Sequence, residues 1–347
     1  MTRRPLAAVA VGAVLALAAC SSSQPATAPV AAASTPTSTS SSSTPTPTAI
    51  WPLTGLPAAS GVAARPALIV KIDNLDAARP QVGVNSADIV FEEPVEGGLT
   101  RLAAVFQSTI PATVGPIRSA RPVDGQLARL LGGGALLFSG ASAAEIAPVR
   151  AASHAVLVAQ DFGAAPSAFR RDPRRPPVHN LLASPTTALA WGYAHGLAKT
   201  TPSPVFSYGP ATTTGTAATG IHMRIIGTTV DWAYSPSQNA WLRSQNGTPD
   251  ATADGGRIRA TNVVVVSVRV RYSSAIRDVL RNPTPVFDIT GGGSAWVYRD
   301  GTMVSGTWSR SGLDVPFSLT TATGPIALAP GTTWVEFIPR PETPVTR

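Results

Sequence analysis

Ala67-Leu-Ile-Val-Lys-Ile-Asp73, Asp88-Ile-Val-Phe-Glu-Glu93 and Thr100-Arg-Leu-Ala-Ala-Val-Phe-Gln107 are three short apolar runs that carry charge inside them or at an end. Runs of this length, bounded by turn residues, predict buried strands. Glu96-Gly97-Gly98 stands between the second and third. Glycine takes positive φ without steric penalty, so this stretch predicts a β-hairpin. Asp73-Asn74 starts a turn after the first run. Strand alternation places Glu92 and Glu93 on opposite faces, so at most one of them shares a face with Glu96 and Arg101.

Helical signals follow. Asp124 reads as the cap of a helix through Leu131, stopped by Gly132-Gly133-Gly134. A second helix is predicted from Ala141 to Arg150, with Ala143, Ala144 and Ile146 on its packing face. A third starts at Ser184-Pro185, a cap followed by proline at the first helical position, and runs through Leu189, Trp191 and Leu197. Strands and helices in mixed order predict an α+β or mixed α/β N-terminal domain over residues 51–210.

Residues 211–347 read as a smaller all-β C-terminal domain, a β-sandwich or β-roll. Arg257 to Tyr272, with Val263-Val-Val-Val266 followed by alternating Val and Arg, predicts one long strand. Asp300-Gly301 signals a hairpin between Ser294–Arg299 and Thr302–Trp308. Thr333 to Ile338 is the last strand. Trp232, Trp241, Trp296, Trp308 and Trp334 all fall in this half. They read as core residues, with stacking on sugar rings as the alternative.

The N-terminus gives an address. Arg3 and Arg4 precede an apolar stretch from Leu6 to Leu17, and Leu17-Ala18-Ala19-Cys20 follows. This is the layout of an export signal over residues 1–19, too short for an ordinary membrane span. Cys20 is the single cysteine, so no internal disulfide can form. Its surrounding string resembles the bacterial lipobox, which implies an acylated cysteine and a membrane anchor at the extracytoplasmic face. Two or more acyl chains hold stably. Residues 21–50 contain nine Ser, seven Thr, five Pro and six Ala, and no charge occurs between Arg4 and Arg65. Such a segment buries too little apolar surface to fold, so residues 20–50 read as a disordered tether.

Twenty-five of the 27 basic residues are arginine, and only 13% of the chain is charged. The excess of basic groups has wall polymers and lipid phosphates as partners outside a membrane. No nucleic-acid-binding motif accompanies it. The chain lacks Gly-x-Ser-x-Gly, Ser-x-x-Lys, His-Glu-x-x-His, a P-loop and a dinucleotide fingerprint. No cofactor is expected. His154, His195 and His222 have no partners at ligand spacing, so no metal site is expected either.

In so charge-poor a chain the clustered polar residues are the candidate site. They are Asp73, Asn74, Glu92, Glu96, Arg101, Arg118, Ser119, Arg121, His179 and Asn180. Arginine pairs can fork onto carboxylate or phosphate, and a glutamate can serve as acid or base. A salt-bridge network pinning the hairpin to the helices is the competing reading. Ser119 as a nucleophile activated by His179 is chemically sound, though no spacing brings the two together.

Lys71-Ile-Asp73-Asn74, Ala78-Arg79-Pro80-Gln81, Ala87-Asp88-Ile-Val-Phe-Glu92 and Val95-Glu96-Gly97-Gly98-Leu-Thr100-Arg101 resemble the YerB-like family of bacterial lipoproteins. So do Val114-Gly115-Pro116-Ile-Arg118-Ser119-Ala-Arg121 and His179-Asn180-Leu181, and the likeness extends to Val264-Val265 and the Trp334 region. The resemblance implies an envelope lipoprotein with an N-terminal α/β-type domain and a smaller C-terminal domain. It implies no activity. Three functions stay open: an anchored binding protein for a polar or anionic ligand such as a wall fragment, a carboxylate-dependent hydrolase or lyase acting on wall glycan, and a non-catalytic assembly partner of a membrane protein complex.

Overall fold

The computed structural model describes residues 49–58, 64–278 and 280–347. The expected signal peptide at 1–19, the acylated Cys20 and the tether up to residue 48 lie outside these described residues.

Strands β1 (Leu68–Asp73), β2 (Ile89–Pro94) and β3 (Thr100–Phe106) are the three opening runs. Then come α1 (Pro122–Leu130), β4 (Ala135–Phe138), α2 (Ala143–Ser153), β5 (Val156–Ala159), β6 (Phe169–Arg171), β7 (Leu181–Ala183) and α3 (Pro185–Ala194). Past α3 every helix or strand among the described residues is a strand. These begin with β8 (Thr216–Ala217), β9 (Gly220–Ile225), β10 (Thr228–Ser235), β11 (Ala240–Gln245), β12 (Thr248–Pro249) and β13 (Arg259–Ala260). They continue with β14 (Asn262–Val268), β15 (Arg271–Arg277), β16 (Pro283–Val286), β17 (Gly291–Arg299) and β18 (Thr302–Arg310). The last are β19 (Ser318–Thr321), β20 (Gly324–Pro325), β21 (Thr333–Pro339) and β22 (Val345–Thr346). Mixed elements followed by strands match the expected order in outline. The first part is nonetheless more strand-rich than an α/β-type domain, because β6 and β7 form their own pair outside the main sheet.

The opening runs lie side by side in the order β2-β3-β1. Glu93 stands opposite Arg101, and Arg101 opposite Asp73. Gly97 and Gly98 turn the hairpin at φ of 70° and 75°. Beyond β1 the sheet continues through β4 and β5, both parallel to it. Beyond β2 it continues with β21, which is parallel to both β2 and β14. β17, β18, β19 and β20 complete that side. The main sheet therefore takes strands from both sides of residue 210. Because β1 and β2 are each antiparallel to β3, six strands (β5, β4, β1, β2, β21, β14) all run the same way. Their carboxyl ends share one edge.

Each face of the sheet is covered. On one side Ile69, Phe91, Val264 and Phe337 pack with Leu127 of α1 and Ile146 of α2. On the other, Val70, Val90 and Val265 pack with Trp232 and Trp241 of a second sheet, ordered β12-β11-β10-β9-β22. Full burial of such side chains contributes about 1.5–3 kcal/mol each. Trp232, Trp241, Trp308 and Trp334 are buried in this core, which removes them as sugar platforms and leaves Trp296 half-buried.

Three local expectations are corrected. Asp124 does not begin α1. It sits in the first turn, where its carboxylate accepts from the Arg121 amide at 2.6 Å. α2 buries Glu145, Ile146, Val149 and Ser153, while Ala143 and Ala144 are exposed. Ser142 and Glu145 cap each other's backbone there and fix the start of the helix. The predicted strand over 257–272 breaks at Arg269-Val270. β14 is buried along its whole length, and its alternating arginines cannot follow into the core, so the chain leaves the sheet and β15 pairs with β16.

Candidate functional site

Register decides which polar residues meet. Lys71, Asp73, Glu93 and Arg101 point to the helix-covered face, because Asp73 and Glu93 each stand opposite Arg101 and Lys71 is two residues from Asp73. Glu92, Asn74 and Thr100 point to the other face. The polar residues near the carboxyl edge thus separate into four clusters, three of which hold candidate residues.

Glu92 and Asn74 belong to a buried network beneath the second sheet. Glu92 takes an ion pair from Arg243 at 2.6 Å and a hydrogen bond from the Thr100 hydroxyl at 2.7 Å. Asn74 donates to Glu92 at 3.1 Å and to Gln245 at 2.8 Å. Arg243 also pairs with Asp250. Glu336 of β21 accepts from Trp232 at 3.0 Å. Burial and the adjacent Glu92 carboxylate push Glu336 well above the usual carboxylate range.

Glu96 and Arg121 form a second cluster. Arg121 donates to Glu96 through Nε at 2.9 Å and reaches Glu145 with Nη1 at 3.0 Å. Thr284 donates to Glu96 at 2.6 Å. Burial works against the Glu96 charge, but the Arg121 hydrogen bonds and charge outweigh it and keep this carboxyl below its ordinary range. Glu92 and Glu96 are thus both buried and ion-paired, on opposite faces. They are not an open acid and base.

The third cluster is Lys71, Glu93 and Asp124, all fully buried. Lys71 Nζ lies 2.6 Å from Glu93 and 2.8 Å from Asp124. Burial and the Asp124 charge push Glu93 up to about 8 against the pull of Lys71.

The fourth cluster brings together five of the ten candidates. Asp73 Oδ2 accepts from His179 Nδ1 at 2.7 Å and pairs with Arg118 Nε at 3.0 Å. Arg118 is held by its backbone between β1 and β4, its amide on the Lys71 carbonyl and its carbonyl on the Ser139 amide. Arg118 and His179 keep partial exposure. Ser119 lies against Gly140, where φ is 86° and an added Cβ would meet the serine hydroxyl at 2.6 Å. Arg101 stands beside them. Only 7% of it is exposed, and no carboxylate among the described residues pairs with it. Among the described residues its single side-chain hydrogen bond is a long one, 3.5 Å from Nη1 to the Ser119 carbonyl, and its Nε has no partner. Burial and the charges of Arg121 and Arg118 push the guanidinium down to about 10. Asn180 turns elsewhere and accepts from Arg171 at 2.8 Å.

Sequence reasoning missed Lys71, Asp124, Arg243 and Glu336 as members of these clusters, and kept Glu92 rather than Glu93 among the candidates. Lys71 and Glu336 each interrupt an apolar strand, Leu68–Asp73 and Thr333–Pro339, and that interruption was their signal.

The description "Protein of unknown function (DUF3048) N-terminal domain" matches residues 53–197, and its C-terminal counterpart matches residues 221–335. The "Putative lipoprotein YerB" of Bacillus subtilis (strain 168) is 51% identical over 70 residues. That stretch spans 20% of this chain and 21% of the relative. The crystal structure of YerB protein from Bacillus subtilis is similar at a TM-score of 0.71 and 23% identity, covering 85% of this chain and 99% of that one. At that identity the likeness shows the fold.

Proposed function

The chain belongs to the YerB-like family, DUF3048, and from that premise we propose an envelope lipoprotein, anchored through Cys20, that binds a small anionic ligand at Arg101. The observation that carries this reading is a buried guanidinium with no paired counter-ion among the described residues. Burying a charge unpaired is costly, and a fold that keeps one gains if a ligand supplies the missing anion. Arg118 and His179 contribute donors at the exposed rim, and Asp73 orients both. A wall fragment bearing a carboxylate or phosphate has the right chemistry. The lipobox-like string and the lipoprotein relative support the address.

Soluble wall fragments titrated into the protein by calorimetry test the assignment. Binding that disappears in Arg101→Met and weakens in Arg118→Ala supports it. Tight binding untouched by either substitution removes the site.

A second reading is hydrolytic and rests on the Asp73–His179 pair, the orienting half of a general base, with Ser119 as the candidate nucleophile. It predicts turnover of a wall ester or amide that His179→Gln abolishes. No product from any wall preparation would count against it.

A further inference from the structure

Parallel strands β14 and β21 end side by side, and the residues that follow them are Arg269 and Arg340. Together with Arg271, Asp288, Gly292 and Trp308 these line a depression of about 210 Å³. It shares no residue with the Arg101 cluster. Among the described residues Arg340 bonds only to carbonyls, Gly292 at 2.5 Å and Ser267 at 3.4 Å. Arg269 is exposed, and its side chain has no ion pair or hydrogen bond among the described residues. Arg271 meets Asp288 at 3.5 Å with both side chains more than half exposed, a pair worth little in water.

A further cation lies below. Arg310, paired across the ladder with Gly291, is 2% exposed and is held by three carbonyls, at Val315, Ile289 and Leu313. No carboxylate pairs with it among the described residues, and burial pushes it down to about 10. The depression thus has three guanidiniums at its wall, a fourth behind it, and one loosely paired carboxylate. The glycines of β17 make room for this. A side chain at Gly293 would collide with the Arg340 guanidinium and, at 2.8 Å, with the Trp308 ring nitrogen.

We propose that this depression is a second ligand site and that it takes a phosphate group, as the free ion or on a phosphoester. The excess of positive charge exceeds what one carboxylate neutralises. A phosphate offers several acceptor oxygens and up to two charges to planar guanidinium forks.

The test uses the full chain carrying Cys20→Ser, so that acylation contributes nothing to membrane binding. Inorganic phosphate and glycerol 3-phosphate are titrated by calorimetry with acetate as the reference. Phosphatidylglycerol vesicles are compared with phosphatidylcholine vesicles by sedimentation. Phosphate or its ester should bind more tightly than acetate. Removing Arg269 or Arg271, both exposed and outside the core, should weaken binding about tenfold each, the lower end for a hydrogen bond to a charged group. Preference for phosphatidylglycerol vesicles over both soluble probes, lost in the same variants, also supports the site and assigns the phosphate to a headgroup. Three results overturn the proposal: no binding of any phosphate probe, binding unchanged in Arg269→Ala/Arg271→Ala, or binding abolished by Arg101→Met alone.

Discussion

Arg101 is kept at a cost, and that cost is measurable. Replacing a buried ion by an apolar side chain of similar length is often stabilising. Arg101→Met should raise stability by about 1 kcal/mol or more while ligand binding is lost, read from urea unfolding with and without wall fragments. A clear loss of stability instead would mean that the guanidinium is a structural partner. Glu93 makes the second residue-scale prediction. Its carboxyl titrates near 8 in the folded protein against an ordinary value of 4.5. Between those values the folded state holds a proton that the unfolded chain releases. Stability therefore falls as pH rises through that window. Glu93→Gln removes the titration, so its stability relative to the parent should improve between about pH 5 and about pH 8. A parent-to-variant difference that stays constant over that range contradicts the assignment. Alternation alone placed Glu92 and Glu93 on opposite faces. It could not say which would meet Arg101, because that depends on which face the helices cover. Arg121 looked like a free ligand-binding group for a related reason. Glu145, which lies on a different helix, clamps it from the far side.

Elements made of local signals were legible, and elements made by distant pairing were not. The Glu96-Gly97-Gly98 turn, the Asp300-Gly301 turn and the Ser184-Pro185 start of α3 each depend on a few neighbouring residues, and each formed where read. The break between β14 and β15 depends instead on what surrounds the chain after residue 268, and periodicity has no access to that. Gly125 shows the same gap at close range. Within α1 alone alanine would be preferred by about 1 kcal/mol. Against α2 a Cβ there would lie 2.8 Å from the Val149 Cα and 2.9 Å from its carbonyl oxygen. Backbone cannot give way cheaply, so Gly125→Ala should destabilise by about 1–3 kcal/mol as α1 and α2 separate. Gly192→Ala in α3 is the contrast, since the nearest atom is the flexible end of Leu197 at 3.0 Å. It should be neutral or mildly stabilising. Equal effects in thermal unfolding would show that the α1–α2 contact is not the tight one.

For the molecule as a whole, the family descriptions divide the chain between residues 197 and 221, but the hydrogen bonding does not. β21 lies parallel against β2 through four paired positions, from Ile89 opposite Thr333 to Glu92 opposite Glu336. The Glu92 charge is neutralised by Arg243 from the second sheet. A chain ended at residue 210 would expose the backbone edge of β2 and leave Glu92 buried without its cation. Breaking a buried pair by removing one partner costs about 3–5 kcal/mol, a large part of the stability of a typical domain. The same return of the far end brings β14 and β21 into line with β1 and β2, so that both arginine clusters face the one carboxyl edge. The two halves should therefore fold together. Calorimetry on residues 64–347 should show one cooperative transition, and residues 64–210 alone should show none. A separate transition in the shorter chain would mean that the β2 edge and Glu92 find other partners. The Arg101 site could then be studied without the strands that carry Arg269 and Arg340.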